Sequence, residues 1–322
     1  MNILVTGGCG FIGHNVVANL QSLDHNVVLI DNKTTYGIVP QAELDYLVTE
    51  RMKKITSPVY PSSIESADSV DCIINKHNVE VIVHMASFPR QKVVNADPAM
   101  GSRTMMEGLL NLLESATRHN VRRFVYISSS MVYGNFKDNV KEDAACNPEG
   151  QYGIMKLAGE WLVKDYSRRT GMEVVIIRPS AVYGPLDVED RVVAKFMLTA
   201  MRGGQLSING ASEALDFTYV TDLAAGIVSA TITPAAANHT YNLTRSHSVS
   251  LLEAAETIIK IVGSGTMQIK ARDLNFPSRG ALNIDAARTD LNYAPCINIA
   301  EGFQKYYESI SNSVLWSTKT VP

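Results

Sequence analysis

Near its N-terminus the chain runs from an apolar stretch, Ile3-Leu4-Val5, into Thr6-Gly-Gly-Cys-Gly-Phe-Ile-Gly13 and then into an amphipathic stretch ending near Leu23. Gly8, Gly10 and Gly13 satisfy G-x-G-x-x-G, and Gly7, Gly10 and Gly13 satisfy G-x-x-G-x-x-G. Glycines so spaced allow a tight turn and close backbone approach. The helix behind them then offers unpaired N–H groups and a positive dipole end to a pyrophosphate. The next apolar run, Val27–Ile30, ends at Asp31. A carboxylate at the tip of a second strand suits the adenosine ribose diol and repels a 2′-phosphate. This favours NAD over NADP, with Lys33 keeping NADP open.

The same rhythm continues. Val79–His84, Arg123–Ser128 and Glu173–Arg178 read as strands, and Gln41–Ile55, Met100–Asn120 and Tyr152–Thr170 as helices. Strands alternating with helices imply a right-handed parallel sheet covered on both faces. Runs such as Val81-Ile-Val83 lack polar alternation, as doubly buried strands do. After Arg178 the pattern shortens and is punctuated by Pro179, Gly184, Pro185 and Gly203-Gly204, with late helices at Leu251–Val262 and Ile299–Ser309. The reading is an α/β fold, a doubly wound parallel sheet with a smaller, partly discontinuous C-terminal α/β lobe. The first unit takes residues 1–178 plus about 216–245, and the lobe takes 179–215 and 246–322. The last residues read as frayed.

At 322 residues with 46% hydrophobic and 19% charged residues, the composition is that of a soluble globular protein. A formal charge of −3 gives no electrostatic case for nucleic acid or anionic membrane. The basic clusters Arg51-Met-Lys-Lys54 and Arg118 to Arg123 read as solvated helix ends. Cys9, Cys72, Cys146 and Cys296 lie far apart without metal spacing, which suits reduced thiols in a cytoplasm and no metal. No apolar run reaches membrane-spanning length.

Tyr152 and Lys156 form Y-x-x-x-K downstream of Ser128-Ser129-Ser130. That spacing puts both side chains on one helix face. An ammonium beside a phenol is expected to pull the tyrosine pKa from near 10 toward neutrality, which suits acid–base work on an alcohol–ketone interconversion.

Together these motifs resemble the extended short-chain dehydrogenase/reductase family, in its sugar-nucleotide epimerase/dehydratase branch. The resemblance rests on TGG-x-GFIG, His84-Met-Ala-Ser87, SSS-x-VYG, Y-x-x-x-K, Arg178-Pro-x-x-Val-Tyr-Gly-Pro185 and Asp216-Phe-Thr-Tyr-Val-x-Asp222, and covers nearly the whole chain. It implies a Rossmann domain and tightly bound NAD held by Gly7, Gly10, Phe11, Ile12, Gly13, Asp31, Asn32, Lys33, Ser63, Ile64, Met85, Ala86, Ser87, Tyr152, Lys156 and Pro179. It also implies a homodimer through the 100–120 and 152–170 helices. Its catalytic hydroxyl falls on Ser129, with Tyr152 exchanging the substrate proton and Lys156 holding the nicotinamide ribose.

Met131 stands where the family's dehydratases place an acid and its 3,5-epimerases a cysteine. A thioether exchanges no proton, so C4 epimerisation or net oxidation–reduction remains. Ala181, Leu215 and Met105 replace an Asn, a phosphate-contacting Arg and another Asn of the family pattern, and Ser63 replaces its adenine-side Asp. The substrate side is therefore expected to use Arg90, Ser130, Met131, Ala181, Val182, Arg191, Lys195, Arg272 and Arg279, with Arg191, Arg272 and Arg279 as one cluster. The leading expectation is an NAD-dependent 4-epimerase of a nucleotide-diphosphate sugar. The alternatives are a net dehydrogenase or 4-ketoreductase, perhaps on a non-nucleotide substrate, and a non-catalytic NAD sensor. His84, Asp216, Tyr219 and Asp222 read as structural.

Overall fold

The unalternating apolar runs lie at the centre of a seven-stranded sheet. The structure, a computed structural model, describes residues 1–315 apart from Tyr36, Ile38, Pro89 and Asn275. The residues read as frayed lie beyond 315, outside the described residues. In chain order the first half runs β1 (Asn2–Thr6), α1 (Gly13–Ser22), β2 (Asn26–Ile30), α2 (Gln41–Met52), β3 (Val59–Tyr60), α3 (Ala67–Lys76) and β4 (Val81–His84). It continues through α4 (Gln91–Ala96), α5 (Pro98–Ser102), a π-helical turn (Arg103–Glu107), α6 (Gly108–Arg118), β5 (Arg123–Ile127), a 3-10 turn (Ser130–Tyr133), α7 (Gln151–Thr170) and β6 (Glu173–Pro179). The second half adds β7 (Val182–Tyr183), α8 (Val192–Met201), β8 (Gln205–Asn209), β9 (Ala214–Asp216), β10 (Thr218–Tyr219), α9 (Val220–Ile232) and β11 (Thr240–Leu243). It closes with β12 (Ser248–Ser250), α10 (Leu251–Val262), β13 (Thr266–Lys270), α11 (Asp285–Leu291) and α12 (Ile299–Ser311).

The strand order is β11-β6-β5-β4-β1-β2-β3, with every pairing parallel. Order reverses between β1 and β4, and in such sheets that reversal opens a ligand crevice at the strands' carboxyl ends. Here those ends are Thr6 and His84, joined by a 2.8 Å bond from Oγ1 to Nδ1. Thr6 Oγ1 also accepts the N–H groups of Met85 (3.2 Å) and Ala86 (3.1 Å), which fixes the loop leaving β4 beside the glycine loop.

One face of the sheet buries Val16, Val17 and Leu20 of α1 with Leu223 and Ile227 of α9; the other buries Val70 and Ile73 of α3, Leu109 and Leu112 of α6 and Val163 of α7. Ile284, Ala287, Leu291 and Tyr293 join the first of these cores. The segment around α11, which sequence reasoning gave to the smaller lobe, thus packs on the sheet because its apolar face meets β11 and α9. The lobe has its own core around Met197, Leu206, Ile208, Val249, Ile258 and Phe303. It also contains the parallel pair β8–β13 and the antiparallel pair β9–β12.

Two sequence expectations need correction. The helix read over 100–120 is interrupted by the π turn, which turns Thr104 toward Glu65 (2.6 Å) and Met105 into a cluster with Phe88 and Val94. The basic clusters are not wholly solvated, since Arg51 is 5% and Arg123 is 1% exposed. Arg123 donates to Glu173 at 2.7 Å and to the carbonyls of Thr231 (2.9 Å) and Thr233 (2.7 Å), satisfying the open C-terminal end of α9.

Candidate active site

The glycine loop follows from two close approaches. Gly7 has φ +72°, and a Cβ there would meet the Ala86 nitrogen at 2.8 Å; a Cβ at Gly13 would lie 2.2 Å from the Gly7 carbonyl oxygen. Only bare backbone fits, so the first turn of α1 is pulled against the end of β1. No side chain caps α1 at Ile12. Its leading N–H groups therefore face the crevice as anion donors. Asp31 closes β2 and accepts the N–H of Cys9 at 2.9 Å and of Lys33 at 2.8 Å. A carboxylate has about four lone-pair sites, so acceptors remain for a diol. Burial raises the Asp31 pKa, while these two N–H groups, Arg51 and Lys33 lower it. This donor and acceptor set fits a dinucleotide.

Around the crevice, Asn32 accepts the N–H of Thr34 (3.4 Å), Ser63 that of Glu65 (3.2 Å), and Ser87 donates to the Phe88 carbonyl (3.4 Å). Ile64 is buried against Gly108, and Pro179 ends β6 opposite Leu243. Burial raises the Cys9 thiol to about 12, so the residue is a small packing group and not a nucleophile.

The catalytic candidates come from two elements. Strand β5 delivers Ser128, Ser129 and Ser130, and Ser129 caps the 3-10 turn by accepting the Met131 N–H at 3.2 Å. Helix α7 carries Tyr152, Lys156 and Glu160 four residues apart, on one face. The Ser129 hydroxyl lies near enough to the Tyr152 phenol to lower its pKa. Lys156 donates to the Ile127 carbonyl at 2.8 Å, and its Nζ lies 5.8 Å from the Tyr152 ring centre and 5.3 Å from that of Tyr126.

The expected pull on the tyrosine is not what the geometry gives. Burial raises the Tyr152 pKa against the opposing Arg191 charge and Ser129 hydroxyl. Burial also lowers Lys156 to about 7, with Glu160 opposing. The ammonium is turned to a main-chain carbonyl, so both groups lose water before either charges the other.

Behind them sits a buried network. Arg178 meets Glu160 in a fork at 2.9 and 2.6 Å and donates to Tyr133 Oη at 2.8 Å; Ser128 donates to Glu160 at 2.5 Å. Tyr133 in turn donates to Asn242 at 2.8 Å, tying β5, β6, α7 and β11 together. Paired charges of this kind hold a site rigid, though their desolvation limits what they add to stability.

On the substrate side the expected arginine cluster divides by partner. Arg90 and Lys195 share Asp190, each at 2.5 Å, and Arg191 at the start of α8 lies 4.0 Å from Asp187. Arg272 pairs with Glu213 at 3.3 Å, and Glu213 also acts on Arg279, whose pKa burial lowers to about 10. Arg191 is close enough for its charge to act on the Tyr152 phenol. Met131 and Ser130 are buried beside Ser129, and Val182 is partly buried in β7. Ala181 holds φ +37°, a left-handed conformation that asparagine tolerates better than alanine. Leu215 packs in the lobe's apolar core. Asp216 accepts the Leu282 N–H (3.1 Å) and Asp222 the Ile297 N–H (2.9 Å), so each carboxylate holds a later loop.

The NAD-dependent epimerase/dehydratase family model matches residues 3–244. The chain belongs to this family. It is an enzyme with a Rossmann-type fold, and its cofactor is NAD. Among related proteins, an uncharacterised UDP-glucose epimerase of Bacillus subtilis is 28% identical over 310 residues, 94% of this chain and 95% of that one. A dTDP-glucose 4,6-dehydratase of Streptomyces niveus is 28% identical over 336 residues, 98% of this chain and 94% of that one. UDP-glucuronic acid 4-epimerase of Bacillus cereus, solved with UDP-glucuronic acid and NAD, superposes with a TM-score of 0.88 at 27% identity, covering 97% of this chain and 99% of that one.

In this family member, sequence reasoning missed Arg51, Arg123 and Glu160. Glu160 continues the i, i+4 series of Tyr152 and Lys156, a signal that was present in the spacing. Arg51 had a fainter one: Glu43, Leu44, Leu47 and Arg51, the buried residues of α2, form a helical stripe.

Proposed function

We propose that the enzyme inverts C4 of a nucleotide-diphosphate sugar through a transient 4-keto sugar. The observation that carries this is the burial of Ser129, Lys156 and Met131, the last 7% exposed, beside a partly buried Tyr152, with no carboxylate at position 131. Tyr152, entering the step as phenolate, takes the proton from the substrate's C4 hydroxyl to become phenol and later returns that proton to the ketone oxygen. Ser129 bonds the same oxygen, Lys156 holds the nicotinamide ribose, and the Arg191 charge favours the phenolate. Bound NAD supplies the acceptor for the C4 hydride. The pyrophosphate is held by the N–H groups of Phe11, Ile12 and Gly13, the adenosine ribose by Asp31, and the adenine side by Asn32, Lys33, Ser63 and Ile64. Met85, Ala86, Ser87 and Pro179 line the nicotinamide half. Dehydration needs a second acid–base group, which Met131 is not.

UDP is the first nucleotide to try, because relatives act on UDP-sugars. Arg90, Ser130, Ala181, Val182, Arg191, Lys195, Arg272 and Arg279 are assigned to the substrate. A homodimer is proposed through α6 and α7, where Leu110, Ile154 and Trp161 are exposed, Trp161 at 66%. The proposed setting is the cytoplasm; among the described residues no helix is long and apolar enough to cross a membrane. Ala181 and Leu215 support a second reading, a net dehydrogenase or 4-ketoreductase on a substrate without a nucleotide.

The test is NMR of the protein with NAD and a panel of UDP-, GDP-, CDP- and dTDP-sugars. C4 inversion without net NADH supports the proposal. Stoichiometric NADH supports the second reading, and 4-keto-6-deoxy product refutes the role given to Met131.

A further inference from the structure

The glycine loop and the segment leading to α8 come together on one side chain. Arg51, near the end of α2, donates through Nη1 to the Cys9 carbonyl at 3.3 Å, inside the glycine loop. Through Nε and Nη2 it donates to the Leu186 carbonyl at 3.2 and 2.6 Å, on the segment leading to α8. Leu186 holds φ +65°, a left-handed backbone that a side chain disfavours. The doubled bond from Arg51 falls on that residue. Two turns earlier on α2, Glu43 accepts the Glu189 N–H at 3.3 Å on the same segment. Glu43 is 3% and Arg51 is 5% exposed.

A buried guanidinium is costly unless its donors are used. Here they are spent on two carbonyls from separate parts of the chain, with Asp187 and Asp31 offsetting its charge. The Cys9 carbonyl belongs to the same loop whose N–H groups are assigned to the pyrophosphate. We propose that Arg51 is a positioning residue that clasps segment 186–189 to the glycine loop over the pyrophosphate. The clasp slows both entry and release of NAD. It follows from NAD use alone and does not depend on which sugar is bound.

A clasp is a kinetic barrier, so opening it speeds exchange in both directions. The test loads Arg51→Met and Arg51→Lys with NAD, then follows release into excess of a coupled NAD-consuming dehydrogenase and uptake by the stripped protein. Release and uptake are expected to rise at least about tenfold in Arg51→Met, with Kd changed only a few-fold. Arg51→Lys should fall between, because an ammonium lacks the planar fork that reaches both carbonyls. A merely structural role would lower thermal stability and speed release without speeding uptake, which overturns the proposal. Rates within twofold of the parent also overturn it. Where Arg51→Met does not fold, Glu43→Ala opens the other end of the clasp. Faster exchange in both directions in that variant supports the proposal, and unchanged rates refute it.

Discussion

Gly153→Ala tests whether the contact between α7 and the 3-10 turn sets the catalytic geometry. Gly153 follows Tyr152 in the first turn of α7, and an added Cβ would lie 2.7 Å from the Met131 carbonyl oxygen and 3.1 Å from Pro148 Cβ. A tolerable carbon–oxygen approach is about 3.3 Å, so relief needs a separation of roughly 0.6 Å. Neither side yields cheaply. The oxygen belongs to the backbone of a turn capped by Ser129, and the Cβ would belong to a helix running to Thr170. Ser129, in the turn, and Tyr152, on the helix, lie on either side of this contact, so the displacement separates the two groups that handle the substrate oxygen. A misplacement near 1 Å costs on the order of 100-fold in rate, and this smaller one about tenfold or more. Stability moves less, because alanine gains about 1 kcal/mol of helix propensity while overpacking costs about 1–3 kcal/mol. The assay is kcat for C4 inversion, measured beside thermal unfolding and bound-NAD stoichiometry. A variant that keeps full kcat, or gains stability without losing rate, would show that the contact does not set the geometry.

Other perturbations reach the buried groups. Tyr152→Phe is expected to lower kcat by about 10²–10⁴-fold while NAD content stays that of the parent; comparable activity would remove Tyr152 from proton transfer. Arg178→Met leaves Glu160 unpaired and is expected to destabilise by about 3–5 kcal/mol in denaturant unfolding, whereas Arg178→Met with Glu160→Gln should cost less than the two single changes added. His84 is pushed down to about 3 by burial, so it stays neutral in the fold while the unfolded chain takes up a proton below about 6.5. Stability from this group is whole above that pH and is lost on acidification toward 3. Between pH 6 and 4 the parent should therefore lose about 1.4 kcal/mol per pH unit more than His84→Gln; equal slopes would contradict this.

The parts legible in the sequence were those with local signatures. The glycine loop, the strand ending at Asp31 and the Tyr152–Lys156 spacing each depend on a short segment. Arg51 and Arg123 were misread because most of their partners are main-chain carbonyls 42 to 135 residues away, which leave no mark in side-chain chemistry. The Tyr152 pKa was misjudged for a related reason. Spacing puts Lys156 on the right face, but only the fold shows its Nζ turned to Ile127. The π turn escaped because one extra residue in a helix leaves the apolar pattern of 100–120 nearly unchanged. Ala181 and Leu215 were visible as departures, and the fold gives them a conformation and a core position without naming a replacement ligand contact.

The central claim is that hydride leaves C4 and returns to the same carbon without leaving the enzyme. Deuterium placed at C4 of UDP-glucose and of UDP-glucuronic acid tests it most directly, with NMR following the product and absorbance at 340 nm following free NADH. The account predicts C4-inverted product from at least one of them that retains its deuterium while the 340 nm trace stays flat. Deuterium appearing in free NADH, or product carrying hydrogen at C4, would contradict it.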